Sequence, residues 1–368
     1  MLKRNLFLFF ALLCSVIALA QKSYLIIGTY TSNSNSEGIY VYDFDMRTGD
    51  AAPVSHVKAT EPSYLAISRN EKYVYAVNET APGQVSAFSF DKASGKLTPI
   101  GNKQKAGDAP CYITLDQTGK TIFVGNYSSG EVTVYPVLAD GSVGTCLQDI
   151  KHSGSGPNKE RQEAPHVHCT VISKDNKNLY VNDLGLDKVF IYPFDAKSGK
   201  LNEAAVSFAK VTEGGGPRHI VFSDNSKRAY LIEEMSGNVL AFKQHKGNLK
   251  QIQSINAIPD AEKPKAAGAD IHLSPEGKFL YISQRGDNSI QIFKVKKCGK
   301  LKFLSAVSTQ GKNPRNFSID PSGNFLLAAN QNTHDIVVFK RNTKTGLLTD
   351  TGKRILVGKP VCLKWIAK

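Results

Sequence analysis

The chain has 368 residues, 41% of them hydrophobic, 21% charged and 9% aromatic, with 30 Gly and 16 Pro. This composition excludes a disordered chain, a collagen and a coiled coil, and a single long apolar run, Leu6 to Ala20, excludes a multi-span helical membrane protein. The formal charge of +14 favours anionic ligands. No run of five or six Lys/Arg and no nucleic-acid module accompanies it, so nucleic acid is not an expected partner.

The first twenty residues form a secretory pattern. Lys3 and Arg4 make a positive start, Leu6 to Ala18 an apolar centre, and Ala18-Leu19-Ala20 a small-residue cleavage site before Gln21. Cleavage after Ala20 leaves a domain of residues 21–368 with a charge of +12, exported to the periplasm or secreted, without a stable membrane anchor. An uncleaved anchor asks for a longer apolar stretch, and Cys14 follows Leu13 where lipidation needs a small residue. Beyond it, Cys111, Cys146, Cys169, Cys298 and Cys362 are odd in number and contain no CxxC, so free thiols are expected and neither a zinc site nor a redox pair.

One phrase then recurs. Segments opening at Pro62, Pro110, Pro165, Pro217, Gly268 and Pro314 each run into a second apolar stretch ending near Glu79, Tyr127, Asp183, Glu234, Arg285 and Gln331. Pro360 opens a seventh, and the spacings of 48, 55, 52, 51, 46 and 46 residues give a period near fifty. Turns such as Pro275-Glu276-Gly277-Lys278 join the first two stretches, a third alternating stretch such as Val85 to Phe90 follows, and a Gly-Lys or Gly-Leu turn introduces a fourth. Four antiparallel strands per unit at this period predict propeller blades. Tyr24 to Tyr30, Gly38 to Asp43 and the stretch around Pro53 to Val57 supply three strands before the first repeat, and Cys362 to Ile366 one after the last. The prediction is an all-β, seven-bladed β-propeller with one blade closed by both chain termini, which removes free sheet edges. The Lys294, Lys296, Lys297, Lys300 and Lys302 group reads as a protected strand edge.

In a propeller the first strand of each blade lines the axis, so two positions per repeat converge there. Strand starts supply Tyr64, Tyr112, His166, His168, Arg218, His219, Asp270 and Arg315. Ends of second strands, 17 residues on in five repeats and 18 in the Pro165 repeat, supply Glu79, Tyr127, Asp183, Glu234, Arg285 and Gln331. Packing alone would place apolar residues there, because buried unpaired charges cost several kcal/mol each. A cluster of both signs with imidazoles points to a site for a small polar or anionic ligand.

These residues carry a family resemblance along the whole chain after the leader. Gly28-Thr29-Tyr30-Thr31, Pro62-Ser63-Tyr64-Leu65 with Asn78-Glu79, and Gly125-Asn126-Tyr127 come first. Ala164-Pro165-His166-Val167-His168, Asp183-Leu184-Gly185-Leu186-Asp187, Gly216-Pro217-Arg218-His219 and Arg285-Gly286 follow in order. In these motifs the chain resembles the lactonase family of seven-bladed propellers, which includes propeller-type 6-phosphogluconolactonases and the carboxymuconate-lactonizing enzyme. Gln284 and Asp270 depart from it, standing where Asn and Glu are expected.

The resemblance implies hydrolysis of a sugar or carboxylic lactone, with His168, Arg218, Glu234 and Arg285 as catalytic groups. His166, His219, Asp183, Tyr127 and Glu79 are expected to bind the substrate, a small, anionic lactone, and neither a metal nor another cofactor is expected. Arg218 and Arg285 would hold an anionic group and stabilise the oxyanion; either His168 or Glu234 would be the base, two Arg beside Glu234 favouring His168. The phosphorylated lactone of the best-known relatives is cytosolic, which conflicts with export and leaves the lactone open. Two other readings stand beside this one: a non-catalytic exported propeller binding a glycan or a protein, and a muconate-lactonizing activity.

Overall fold

The computed structural model describes residues 22–256 and 266–368, and among these described residues it has twenty-nine strands and one short 3-10 turn. The expected leader, residues 1–20, lies outside the described residues. The strands form seven antiparallel sheets. Their innermost strands are Leu65–Ile67, Pro110–Leu115, Val167–Ile172, Pro217–Phe222, Gly268–Leu273, Pro314–Ile319 and Pro360–Ala367, neighbours in a closed ring around the axis. The terminal blade runs Pro360–Ala367, Lys22–Thr29, Gly38–Asp45, Ala51–Lys58 from the axis outward, so the last strand of the chain pairs with the first described one. In the third blade the outer edge is split: Lys200–Leu201 and Ser207–Lys210 both pair with Lys188–Asp195, separated by the 3-10 turn Glu203–Ala205.

The turn leaving each inner strand is built the same way in the first six blades. Ser68, Asp116, Ser173, Ser223, Ser274 and Asp320 each accept, through the side chain, the backbone N–H five residues later, at 2.6 to 3.1 Å. Short Ser and Asp side chains satisfy turn backbone in this way, so the turns recur with the repeat. Alternate residues of the second and third strands, such as Val74, Ala76, Leu231 and Ile282, are buried between adjacent sheets and form the core.

The opposite ends of the inner strands are irregular, and this shapes the axis. Pairing skips one residue between Pro110 and Tyr112, Val167 and Cys169, Pro217 and His219, and Pro314 and Asn316. The skipped residues are Cys111, His168, Arg218 and Arg315. A bulge of this kind re-aims a side chain, and at three of them Pro has no N–H to contribute to the ladder. In the third blade Val167, not Pro165, therefore takes the strand-start position, and the extra residue expected in that repeat disappears: Val167 to Leu184 is the same 17-residue step. The backbone agrees, since Leu184 N–H donates to His166 O just as Tyr127 N–H does to Ala109 O and Glu234 N–H to Gly216 O.

Candidate active site

At the end of the propeller where the inner strands begin, a cavity of about 650 Å³ opens on the axis. Bulged strand starts bring Cys111, His168 and Arg315 to its wall, ends of second strands bring Glu79, Tyr127, Glu234 and Arg285, and the 152–166 connection adds Asn158 and Arg161.

Glu234 is the centre of the charge arrangement. Its Oε2 accepts from Arg218 Nε at 3.0 Å and lies 3.0 Å from Arg285 Nη2, while Oε1 accepts from Arg161 Nη2 at 2.6 Å. Burial alone would raise its carboxyl, but Arg285, Arg218 and the other neighbours outweigh burial and hold it well below the usual carboxylate range. His168 Nε2 lies 3.8 Å from the same Oε2, and its Nδ1 is 3.7 Å from Cys111 Sγ. Burial first, then Arg218, pushes the His168 imidazole well below its ordinary value, so it is neutral at pH 7. Arg285 lies mostly under cover and is lowered to about 10 by that burial, still cationic at neutral pH.

Beneath Glu234 a buried line continues toward the far face. Arg218 donates Nη1–H to Ala269 O at 2.6 Å and to His219 Nε2 at 3.2 Å. Arg has no acceptor, so His219 Nε2 carries the lone pair and its Nδ1–H points to Asp270 Oδ1 at 2.8 Å. Burial, with Arg218 second, lowers His219 to about 4, consistent with that neutral tautomer. Asp270 Oδ2 accepts from His272 Nε2 at 2.8 Å and from the Asn316 side-chain amide. Burial opposes ionisation of Asp270, but His272 and His219 keep its carboxyl well below the usual range. Tyr64 and Tyr112, stacked at 4.1 Å and edge-on to His219, pack against this line. A second cavity of about 300 Å³ reaches His219 and Asp270 from the far side.

Five of the nine side chains singled out from the sequence, His168, Glu234, Arg285, Tyr127 and Glu79, line the cavity. Arg218 lies just below and grips Glu234; His219 is one step deeper. His166 stands behind the wall, stacked on Tyr127 at 4.5 Å with Nδ1 on Tyr127 O at 3.0 Å. Asp183 is not brought to the cavity. The register of the third blade puts it level with Asn78, Asn126 and Glu233, where it is fully buried. There its Oδ2 meets His152 Nδ1 at 2.6 Å and its Oδ1 accepts from the N–H groups of His166 and Leu186. Sequence reasoning missed Arg161 and Cys111. The spacing of 55 residues between Pro110 and Pro165, the longest of the six, is the signal that marked the 152–166 insertion carrying Arg161. Among the described residues, no group of three or more His, Cys, Asp or Glu side chains is arranged to hold a metal, no helix is long and apolar enough to cross a membrane, and the five cysteines are free, Cys111, Cys169 and Cys362 buried and Cys146 and Cys298 exposed.

The family model "Lactonase, 7-bladed beta-propeller" matches residues 24–365. A 6-phosphogluconolactonase of Bacillus subtilis is 38% identical over 347 residues, covering 92% of this chain and 97% of that protein. The crystal structure of a Bacteroides fragilis protein described as a candidate 6-phosphogluconolactonase superposes with a TM-score of 0.89 at 42% identity, over 94% of this chain and 98% of that one. A periplasmic gluconolactonase of Pseudomonas aeruginosa superposes with a TM-score of 0.90 at 35% identity, over 94% and 99% of the two chains.

Proposed function

The chain belongs to the seven-bladed β-propeller lactonase family, and from that premise we propose that it hydrolyses a sugar or carboxylic lactone bearing an anionic group, at the axial cavity around Glu234. The observation that carries the reading is the pairing of an ionised Glu234, gripped by Arg161, Arg218 and Arg285, with a neutral His168 imidazole 3.8 Å away. Among the described residues, Arg161, Arg218, Arg285 and Arg315 face only Glu79 and Glu234 as carboxylates, a cationic surplus that suits an anionic substrate.

In this reading the lactone carbonyl oxygen points at Arg285 and Arg218, whose charge stabilises the tetrahedral oxyanion. His168, neutral and able to accept, takes the proton of the attacking water. The imidazolium formed is stabilised by Glu234, which stays ionised because three guanidinium groups favour its charged form and is therefore the weaker base. Collapse of the oxyanion breaks the ring C–O bond, His168 returns the proton to the departing alkoxide, and a hydroxy acid leaves.

Export is part of the proposal, supported by the Lys3-Arg4, Leu6 to Ala18 and Ala18-Leu19-Ala20 pattern and by the likeness to a periplasmic gluconolactonase. The phosphorylated, the neutral and the carboxylic lactone are then rival substrates. The test is acid release by purified protein over 6-phosphogluconolactone, gluconolactone and carboxylic lactones, with Arg218→Ala, Glu234→Ala and His168→Gln in parallel. Turnover above background that all three folded variants lose supports the site; a folded wild type inactive on every lactone overturns it.

A further inference from the structure

The four guanidinium groups at the cavity are not equivalent. Arg218 donates to Glu234, Ala269 O and His219. Arg285 donates to Ala267 O and Gly268 O and pairs with Glu234, and Arg161 donates to Glu234 and Tyr127. Arg315 differs: among the described residues its side chain donates no hydrogen bond, and its nearest carboxylate oxygen is Glu79 Oε1, 4.0 Å away. Only 21% of that side chain is exposed, at the cavity wall. Guanidinium donors left without acceptors under so much cover are costly unless a ligand supplies them.

The surroundings hold Arg315 ready without using its donors. Its guanidinium carbon stands 5.3 Å from the centre of the Tyr30 ring, a cation–π contact that orients the group. Tyr30 and Ser63 both donate their hydroxyls to Glu79 Oε2, at 2.8 Å for Tyr30, which fixes Glu79 and leaves Oε1 facing Arg315 and the cavity. Glu234 is on the other side of the account, saturated by three arginines. The cavity thus has a reacting pole at Glu234 and His168 and a corner at Arg315 with open donors.

Resting on the lactonase reading above, we propose that Arg315, set by Tyr30 and Glu79, is the subsite for the anionic group of the lactone, a phosphate monoester or carboxylate remote from the ring carbonyl. The planar fork of Arg matches two oxygens of such a group at once, and Glu79 Oε1 next to it accepts from a neighbouring sugar hydroxyl. The corner thereby selects charged over neutral lactones, while the reacting pole handles the carbonyl they share.

The experiment compares wild type, Arg315→Gln and Arg315→Lys on 6-phosphogluconolactone, glucarolactone and gluconolactone, which carry a phosphate, a carboxylate and no charge. For Arg315→Gln the ratio of kcat/KM for the charged substrate over the neutral one is expected to fall about 10- to 100-fold, mainly through KM, with Arg315→Lys intermediate. The phosphate and carboxylate arms show which group the corner takes. Calorimetric binding of 6-phosphogluconate, the open-chain product, is measured alongside and is expected to weaken in Arg315→Gln. An unaltered ratio for both charged lactones, or equal affinity of wild type and folded Arg315→Gln for 6-phosphogluconate, overturns the subsite. A wild type that hydrolyses no lactone but binds 6-phosphogluconate through Arg315 overturns the lactonase reading and keeps the subsite.

Discussion

Replacing Asp270 with Asn removes one formal charge from beneath the cavity and leaves its shape almost unchanged. Asp270 is 2% exposed and accepts five hydrogen bonds: from His219 Nδ1 at 2.8 Å and Ile271 N at 2.9 Å on Oδ1, and from His272 Nε2 at 2.8 Å, the Asn316 amide and Phe317 N at 3.5 Å on Oδ2. Asparagine has one acceptor oxygen, so its NH₂ must face one of these two sets of donors, and at least two hydrogen bonds are lost whichever way it turns. Bonds to a charged acceptor are worth roughly 1.5–3 kcal/mol each, which puts the loss of two at roughly 3–6 kcal/mol. Unfolding entropy of roughly 2.1 cal/mol/K per residue gives about 0.7 kcal/mol/K for about 340 residues, so Tm is expected to fall by roughly 4–9 °C. Turnover should fall as well, about tenfold, because a neutral amide holds His219 less firmly than a carboxylate in the tautomer that accepts from Arg218, which grips Glu234. Scanning calorimetry and lactone kinetics on the same preparations check both numbers. A Tm within about 1 °C of wild type together with unchanged kcat would refute the claim that an ionised Asp270 fixes His219 and, through it, Arg218.

Other perturbations give separate checks. His219 sits at about 4 in the folded protein against roughly 6.5 unfolded, so between those values the unfolded chain takes up a proton that the native one refuses. Its contribution is full above pH 6.5 and declines by ~3 kcal/mol as pH falls toward 4; urea midpoints at pH 7, 5.5 and 4.5 should shift accordingly, and a flat profile contradicts it. Arg161→Ala removes a side chain 45% exposed, so stability should change by less than about 1 kcal/mol while KM for the phosphorylated lactone rises roughly tenfold; an unmoved KM detaches the 152–166 insertion from binding. Tyr230→Phe breaks a bond from its hydroxyl to Gly299 O in the next blade and should cost about 1 kcal/mol in denaturant melts. Tyr75 occupies the matching place in the first blade, but its buried hydroxyl has no partner among the described residues, so Tyr75→Phe should be neutral or stabilising.

The repeat itself was legible because its causes are local. Ser or Asp at each inner turn, Gly at the outer turns and alternating apolar residues follow from short-range backbone needs, and they recur wherever a blade does. The closing of the terminal blade was legible too: three strands before the first repeat and one after the last can complete only one sheet. So was the concentration of His168, Arg218, Glu234 and Arg285 at one end, since both registers repeat at a fixed 17-residue step.

Other features had no local signature. Pro165 looks like every other strand start, yet tertiary pairing chose Val167 opposite Asp183, and that two-residue difference sent Asp183 into the sheet and left Leu184 in its place. The bulges that turn Cys111, His168, Arg218 and Arg315 inward depend on pairing with the second strand, which no spacing records. Arg161 reaches Glu234 across 73 residues of sequence, from an insertion whose length alone was visible. The sequence by itself determined the seven blades, their closure and which charges would meet near the axis, because period and turn chemistry act over a few residues. Only the tertiary structure decided which of those charges neutralise one another and which, like Arg315, still face the cavity with donors to offer, because that balance depends on distances set by seven sheets at once.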